Sequence, residues 1–534
     1  MNADADYLII GGGSSGAALA SRLSESPGCQ VLLLEAGGRG DDWVVQTPFA
    51  GVLQIATRLH NWGFETTPQP GLNGRRGYQP RGRVLGGSSA INAMVYTRGH
   101  PSDYDAWAAA GNAGWSYDEV LPYFIRSEAN ARLGAPWHGQ DGPLRVGDLR
   151  TDSPVHAAWR AAARESGHAE QDDFNGASMD GLGTYQVTQF EGERWSVARG
   201  YLHPHLGRRH NLQVQTGVRA LRLVFEGRRA VGVEALQHGQ RRTWRAAREV
   251  IVSAGALQSP QLLMLSGIGD GQALRSLGLP VMQHLPGVGA HLHDHPDFVF
   301  GYASDRIDLA GFSMRGGVRL LQEIARYRST RRGMITTNFA ECGGFLRTRS
   351  GLPAPNVQLH LVVSIVEDHA RRLRWGHGLS CHVCLLRPRS RGHLRLQSAD
   401  PLAAPLIDPA FLQDPEDVRE LIEGYRLTRD LMRAPSMKAL WTRELWSAGI
   451  DEDDRIEALL RQRVDTVYHP VGTCRMGRDA QAVVEERLRV RGIEGLRVVD
   501  ASIMPAVVSG NTNAPAVMIA EKAADMIRVD SGQR

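Results

Sequence analysis

Four apolar positions, Tyr7 to Ile10, run straight into "GGGSSG". A stretch with helical spacing, "AALASRLSE", follows, and a second apolar run, "VLLLE", ends at Glu35. Short continuous apolar runs mark buried strands, so the change to 3.6-residue spacing and back predicts a strand, helix, strand unit. Further short apolar runs predict a strand after "NLQVQTG" that carries Val218, one in "LSCHVCLLR", and one in "LRVVDAS" that ends at Asp500. Near the C-terminus Val517, Ala520, Ala524 and Ile527 form a helical stripe behind Pro515, which suits a first turn; this predicts a helix over 515–528. Asn513 stands just before it, where asparagine is a favoured N-cap.

The first turn has the pattern of a phosphate cradle. Gly11, Gly13 and Gly16 fill the GxGxxG positions, with Ser15 inside the turn. One glycine serves the tight turn, one the close approach of backbone to a pyrophosphate, and one the packing of helix on strand. Glu35 follows Gly13 by 22 residues, near the spacing at which a carboxylate accepts from a ribose hydroxyl. Gly12, Ser14 and Gly16 also spell GxSxG, which would make Ser14 the nucleophile of a serine hydrolase. That elbow normally follows a central strand, not the first one, and it gives Glu35 no role. A dinucleotide site is the preferred reading.

Length and composition narrow the class. A chain of 534 residues exceeds one hydrophobic core, so two intertwined domains are expected. Residues 5–300 and 460–532 hold the nucleotide motifs, and residues 301–459, which lack them, are expected to build most of a substrate domain. With 42% apolar and 22% charged residues the chain reads as soluble and globular. A net charge of +4 is small, and no single run gathers the arginines, which argues against a nucleic-acid binder. Five scattered cysteines suggest no disulfide framework and fit a reducing compartment. Cys381 and Cys384 would point to opposite faces of one strand and cannot share a metal. The N-terminus "MNADADYLII" lacks the positive charge of a signal peptide, and no run of eighteen apolar residues occurs. A cytoplasmic protein, at most attached to a membrane surface, is expected.

Four longer segments identify a family. "RGRVLGGSSAINAMVYTRG" (81–99), "GALQSPQLLMLSGIG" (255–269), "PGVGAHLHDH" (286–295) and the C-terminal "HPVGTCRMG" with "LRVVDASIMPAVVSGNTNAPAVMIAEKAADMI" resemble the glucose-methanol-choline oxidoreductases, which bind FAD. The resemblance implies an α/β fold with α+β elements: a Rossmann-like FAD-binding domain interwoven with a substrate domain built on an antiparallel sheet with helices. It places the flavin against Gly86, Gly87 and Asn92, where paired glycines permit close backbone approach. Ile91 stands where some members carry a flavin-linked histidine, so FAD is expected to be noncovalent. Val218 matches the backbone that meets the adenine, and Asp500 and Ala501 match residues near the pyrophosphate and ribityl chain. For Asp500, a strand-end carboxylate that caps a turn is an equal reading. "HLHDHP" offers His291, His293, Asp294 and His295 as possible metal ligands, and strict alternation would put the three histidines on one strand face, yet nothing defines an open coordination position; a packing role is preferred, with no metal site.

The resemblance also makes His469 and Asn513 a catalytic pair at flavin N5. Oxidising an alcohol removes a hydride from carbon and a proton from oxygen, and a largely neutral histidine can accept that proton. Asparagine cannot, but its amide can orient the alcohol oxygen. The N-terminus of the 515–528 helix would offset negative charge gained by the reduced flavin at N1 and O2. Residues 366–396 look closest to the branch of choline dehydrogenases and alkane-degradation alcohol dehydrogenases, especially the latter. A weakly polar primary alcohol is therefore the expected substrate, with a quinone-type acceptor. Choline, caged by Phe339, Glu341 and Phe345, and an oxygen-using alcohol oxidase are the alternatives.

Overall fold

A computed structural model describes residues 3–532. The first strand, Ala5–Ile10, the helix Ser14–Leu23 and the strand Val31–Leu34 form the expected unit. Both strands lie in a seven-stranded sheet ordered Leu212–Gln215, Val31–Leu34, Ala5–Ile10, Gln240–Val252, Arg229–Gln237 and Val218–Glu226, with Leu496–Val498 also paired to Gln240–Val252. The long strand Gln240–Val252 joins two patterns. Residues 240–245 run antiparallel to Arg229–Gln237, and residues 249–252 run parallel to Ala5–Ile10. The parallel strands are buried on both faces, which is why they read as continuous apolar runs.

The second sheet is antiparallel and eight-stranded. Its main path runs Arg443–Glu444, Pro296–Ser304, Gly376–Leu385, Val357–Val362, Ala340–Leu346 and Gly181–Thr184. The helices Pro415–Arg433 and Val155–Glu165 pack against it and close a second core around Phe298, Phe300, Leu359, Leu421 and Tyr425. The strand Gly181–Thr184 shows how the halves interlock: it precedes most of the first sheet in sequence yet forms an edge of the second.

The last helix, Asn513–Asp530, begins two residues before the expected start and packs along Ser14–Leu23. Thr512, not Asn513, occupies its N-cap position. Ser15 Oγ donates to the Ala516 carbonyl at 2.8 Å. Glu521, fully buried, accepts from Arg22 Nε at 2.9 Å, Arg126 Nε at 2.7 Å and the Tyr201 hydroxyl at 2.5 Å. A buried carboxylate with two guanidinium partners is costly to break, so the two ends of the chain are held together.

Gly16 has no room for a side chain within the first turn: a methyl there would stand 1.9 Å from the Gly11 carbonyl oxygen and 3.2 Å from Ser253 Cβ. Gly16→Ala should therefore destabilise the protein by about 3 kcal/mol or more. Gly28→Ala, with nothing within 4 Å, should leave the thermal midpoint unchanged. Thermal denaturation of the two variants checks the pair, and equal midpoints would contradict this close approach of Gly16 to the Gly11 carbonyl.

Candidate active site

One crevice runs from the first glycine turn to His469, between the two sheets. At its near end Gly11 takes φ +103°, a left-handed turn that glycine adopts without strain. Gly13 faces only Gly87, whose Cα lies 3.9 Å from where a Gly13 Cβ would be, so the backbone is open to a ligand. A Cβ on Gly87, at φ +54°, would meet Gly13 Cα at 2.7 Å. Gly87 must therefore lack a side chain for the two turns to lie this close. Ser14 Oγ donates to Asn513 Oδ1 at 2.7 Å, and no histidine pairs with it among the described residues. The nucleophile reading of Ser14 thus lacks its base.

Glu35 lines the same end. Its two carboxylate oxygens accept from Gly12 N at 2.8 Å and Gly37 N at 2.7 Å, and burial pushes its pKa up to about 7 despite these bonds. Val218 lines the wall nearby, with its N–H bonded to the Glu35 carbonyl at 2.8 Å. Asp500 borders the crevice but serves as a cap: one oxygen accepts from Gly255 N at 2.8 Å and from Ser259 Oγ, the other from Ser502 N at 2.8 Å. Ala501 follows it on the lining. Gly86, at φ +94°, turns the chain into the short helix Gly87–Ala90. Buried Ile91 and half-buried Asn92 follow, and Asn92 Oδ1 accepts from Met94 N and Arg194 Nη1, each at 3.0 Å.

These residues fit FAD. The chain offers an open glycine backbone at a helix N-terminus for a pyrophosphate, a carboxylate for a ribose, and a second glycine turn against which a flat ring can lie. Ile91 has no nucleophilic atom, which agrees with noncovalent binding.

At the far end one carboxylate sets the geometry of two histidines. Asp294 Oδ1 accepts from His469 N at 2.8 Å and from His295 N at 2.9 Å, while Oδ2 accepts from Thr466 Oγ1 at 2.6 Å. Tyr468, at φ +76°, is in a conformation unusual for a bulky residue; it turns the chain so that His469 enters the crevice. The Tyr468 hydroxyl is tied to His369 Nδ1 at 2.6 Å, and Arg81 Nη1 donates to the Tyr468 carbonyl at 2.9 Å.

The rings then define a tautomer. His295 Nε2 lies 3.2 Å from the Leu386 carbonyl, which can only accept, so that nitrogen carries the proton. His295 Nδ1, 3.0 Å from His469 Nδ1, is left as an acceptor, and His469 Nδ1 must donate to it. The lone pair of His469 thus sits on Nε2. Asn511 Nδ2 reaches Nε2 at 3.1 Å, with the amide orientation set by Thr97 Oγ1 and Gln358 Nε2, each 3.2 Å from Oδ1. Burial, reinforced by His295, His360 and Arg81, holds the His469 pKa well below its ordinary value, so the ring is neutral.

Four expectations are corrected here. The amide beside His469 belongs to Asn511; Asn513 faces Ser14 at the opposite end. His291, His293 and His295 do not share a strand face, because His291 takes φ +57° and the strand Ala290–Leu292 stops before His293. "HLHDHP" does more than pack: it supplies both the carboxylate and the partner ring of His469. Glu341 and Phe345 stay outside the crevice, since Glu341 pairs with His156 Nε2 at 2.9 Å and Phe345 packs on Phe174. Phe339 does line it. Sequence reasoning also missed His360, a buried lining residue whose ring nitrogens both lack partners and whose pKa burial lowers to about 3.

Comparisons with known proteins agree with this architecture. A family model described as GMC oxidoreductase matches residues 5–297, and a second with the same description matches residues 388–520. An alcohol dehydrogenase (acceptor) of Pseudomonas putida is 44% identical over 527 residues, covering 98% of this chain and 95% of its own. The mitochondrial choline dehydrogenase of Mus musculus is 42% identical, covering 98% of this chain and 89% of its own. A solved FAD-dependent oxidoreductase from Chaetomium thermophilum superposes with a TM-score of 0.89 at 28% identity, covering 99% of this chain and all of that one. The protein belongs to the GMC oxidoreductase family.

Proposed function

We propose that this protein holds FAD noncovalently and oxidises an uncharged, weakly polar primary alcohol to the aldehyde, with His469 as general base and a quinone-type electron acceptor. The observation that carries the reading is a buried neutral imidazole on the crevice wall whose Nε2 carries the lone pair and accepts from the Asn511 amide, the place an alcohol hydroxyl would take. Bound FAD would supply the acceptor for the hydride of the alcohol carbon. His469 Nε2 takes the hydroxyl proton. Asn511 Nδ2, which donates to Nε2 before substrate binds, is displaced from it by the hydroxyl and donates to the alcohol oxygen instead, taking the role first expected of Asn513. His295 keeps the accepting nitrogen of His469 turned to the substrate. Asn513 and Ser15 join the first glycine turn to the last helix, whose N-terminus adds a positive dipole end to the same crevice.

The walls near His469 favour an alkanol over choline. Val95, Phe339, Ala340, Val362, Ile365 and Val366 line this end. Among the described residues the only carboxylates on the crevice are Glu35 and Asp500, both at the nucleotide end. A quaternary ammonium would find Phe339 but no counter-charge beside it. The acceptor is argued from sequence resemblance, and the relative from Pseudomonas putida carries an acceptor in its name.

Anaerobic mixing of the yellow holoprotein with a series of 1-alkanols should bleach the flavin, and choline should do so far more slowly. His469→Ala should keep FAD while reduction slows by about 10² to 10⁴. Unchanged reduction in that variant, or faster bleaching by choline, would contradict the reading. Glu35 adds a pH prediction: its carboxyl is pushed up to about 7, and only the ionised form accepts freely from a ribose hydroxyl. FAD affinity of the apoprotein should be highest above pH 7 and fall as pH drops through it; Glu35→Gln should flatten that dependence. Fluorescence titrations between about pH 5.5 and 8.5 check this, and a flat wild-type profile would contradict it.

A further inference from the structure

The helix Met314–Thr330 is turned the wrong way for a soluble surface. Its outward face carries Met314, Val318 and Leu321, which are 84%, 60% and 70% exposed and lie at i, i+4 and i+7. Phe312, just before it, bridges to Trp375, and these two with Leu373 are 51%, 73% and 72% exposed. A single exposed leucine needs no explanation, but a contiguous cluster of six large apolar side chains does.

The charges around the cluster are basic. Between 306 and 332 seven arginines stand against two acidic residues. Arg315, Arg328 and Arg332 are exposed, and none has a carboxylate within 4.0 Å among the described residues. A small group of unpaired arginines thus accompanies the apolar cluster. The face also adjoins the crevice. Ile365, Val366, His369 and Ala370 line it, and the same segment continues to Leu373 and Trp375. The turn Met334–Thr336, which follows the helix, packs on both the helix and the crevice-lining turn Pro48–Ala50.

We propose that this face docks the protein on an anionic lipid bilayer, with the apolar side chains in the headgroup boundary and the free arginines on lipid phosphates. No helix among the described residues is long and apolar enough to span a membrane, so the attachment is interfacial. A second copy of the chain fits less well, since a twofold contact would bring the unpaired arginines against one another. The docking stands on the surface alone; its use, bringing the crevice mouth to alcohol and acceptor dissolved in lipid, rests on the function proposed above.

Sedimentation of the holoprotein with vesicles tests it. Binding should be at least about tenfold stronger to phosphatidylglycerol and phosphatidylcholine mixtures than to phosphatidylcholine alone, and should weaken as salt rises. The double variant Val318→Glu and Leu321→Glu should lose that binding while keeping bound FAD and turnover of a short water-soluble alcohol with a soluble dye acceptor. Absence of vesicle binding, binding that survives the double variant, or a dimer that the variant dissolves without any vesicle binding would each overturn the proposal. Normal vesicle binding by a protein whose flavin no alcohol reduces would instead sink the functional reading and leave the docking face intact.

Discussion

A buried neutral imidazole has one proton and one lone pair, and its surroundings decide which nitrogen carries which. At His469 that decision is made by the hydrogen bond to His295, itself oriented by the Leu386 carbonyl. Burial removes the alternative of charging both nitrogens, because an imidazolium with no carboxylate facing its ring would be heavily desolvated. Asp294 does not touch either ring. It grips the two backbone N–H groups and so fixes how far apart the rings stand. The pair works as one unit, with the base at one end and a backbone carbonyl at the other.

The fold exists to bring distant segments to that point. His295 directly precedes the strand Pro296–Ser304 of the second sheet, His469 follows the positive-φ Tyr468, and Asn511 leads into the last helix. The helix is anchored to the first glycine turn through Ser15, Ser14 and the buried Glu521 cluster. Residues nearly 500 positions apart thus share one crevice wall.

The local parts of this architecture were legible in the sequence. Continuous apolar runs gave the parallel strands, and the glycine spacing gave the turn, because both depend on neighbours in the chain. What failed depended on backbone irregularity. "GNTNAP" offers two asparagines, and its spacing to His469 does not say which turns inward; the structure assigns Asn511. The alternation in "HLHDHP" suggested a strand, and the positive φ of His291 ends it. Phe339 and Glu341 share parity but not a face, because Phe339 precedes its strand at φ +66° and the register shifts between Ala340 and Cys342. The apolar face of Met314–Thr330 was equally hidden, since a helical stripe does not say whether it faces in or out.

The tautomer of His469 is the central claim, and it can be observed without turnover. Nitrogen-15 spectra of the holoprotein labelled at histidine, with His469 assigned by its absence in His469→Gln, report the protonation of each ring nitrogen. At about pH 7 the account predicts a protonated Nδ1 and a bare Nε2, and a reversal or an even mixture when His295 is replaced by alanine. A protonated Nε2 in the unaltered protein, or a spectrum indifferent to His295, would contradict it.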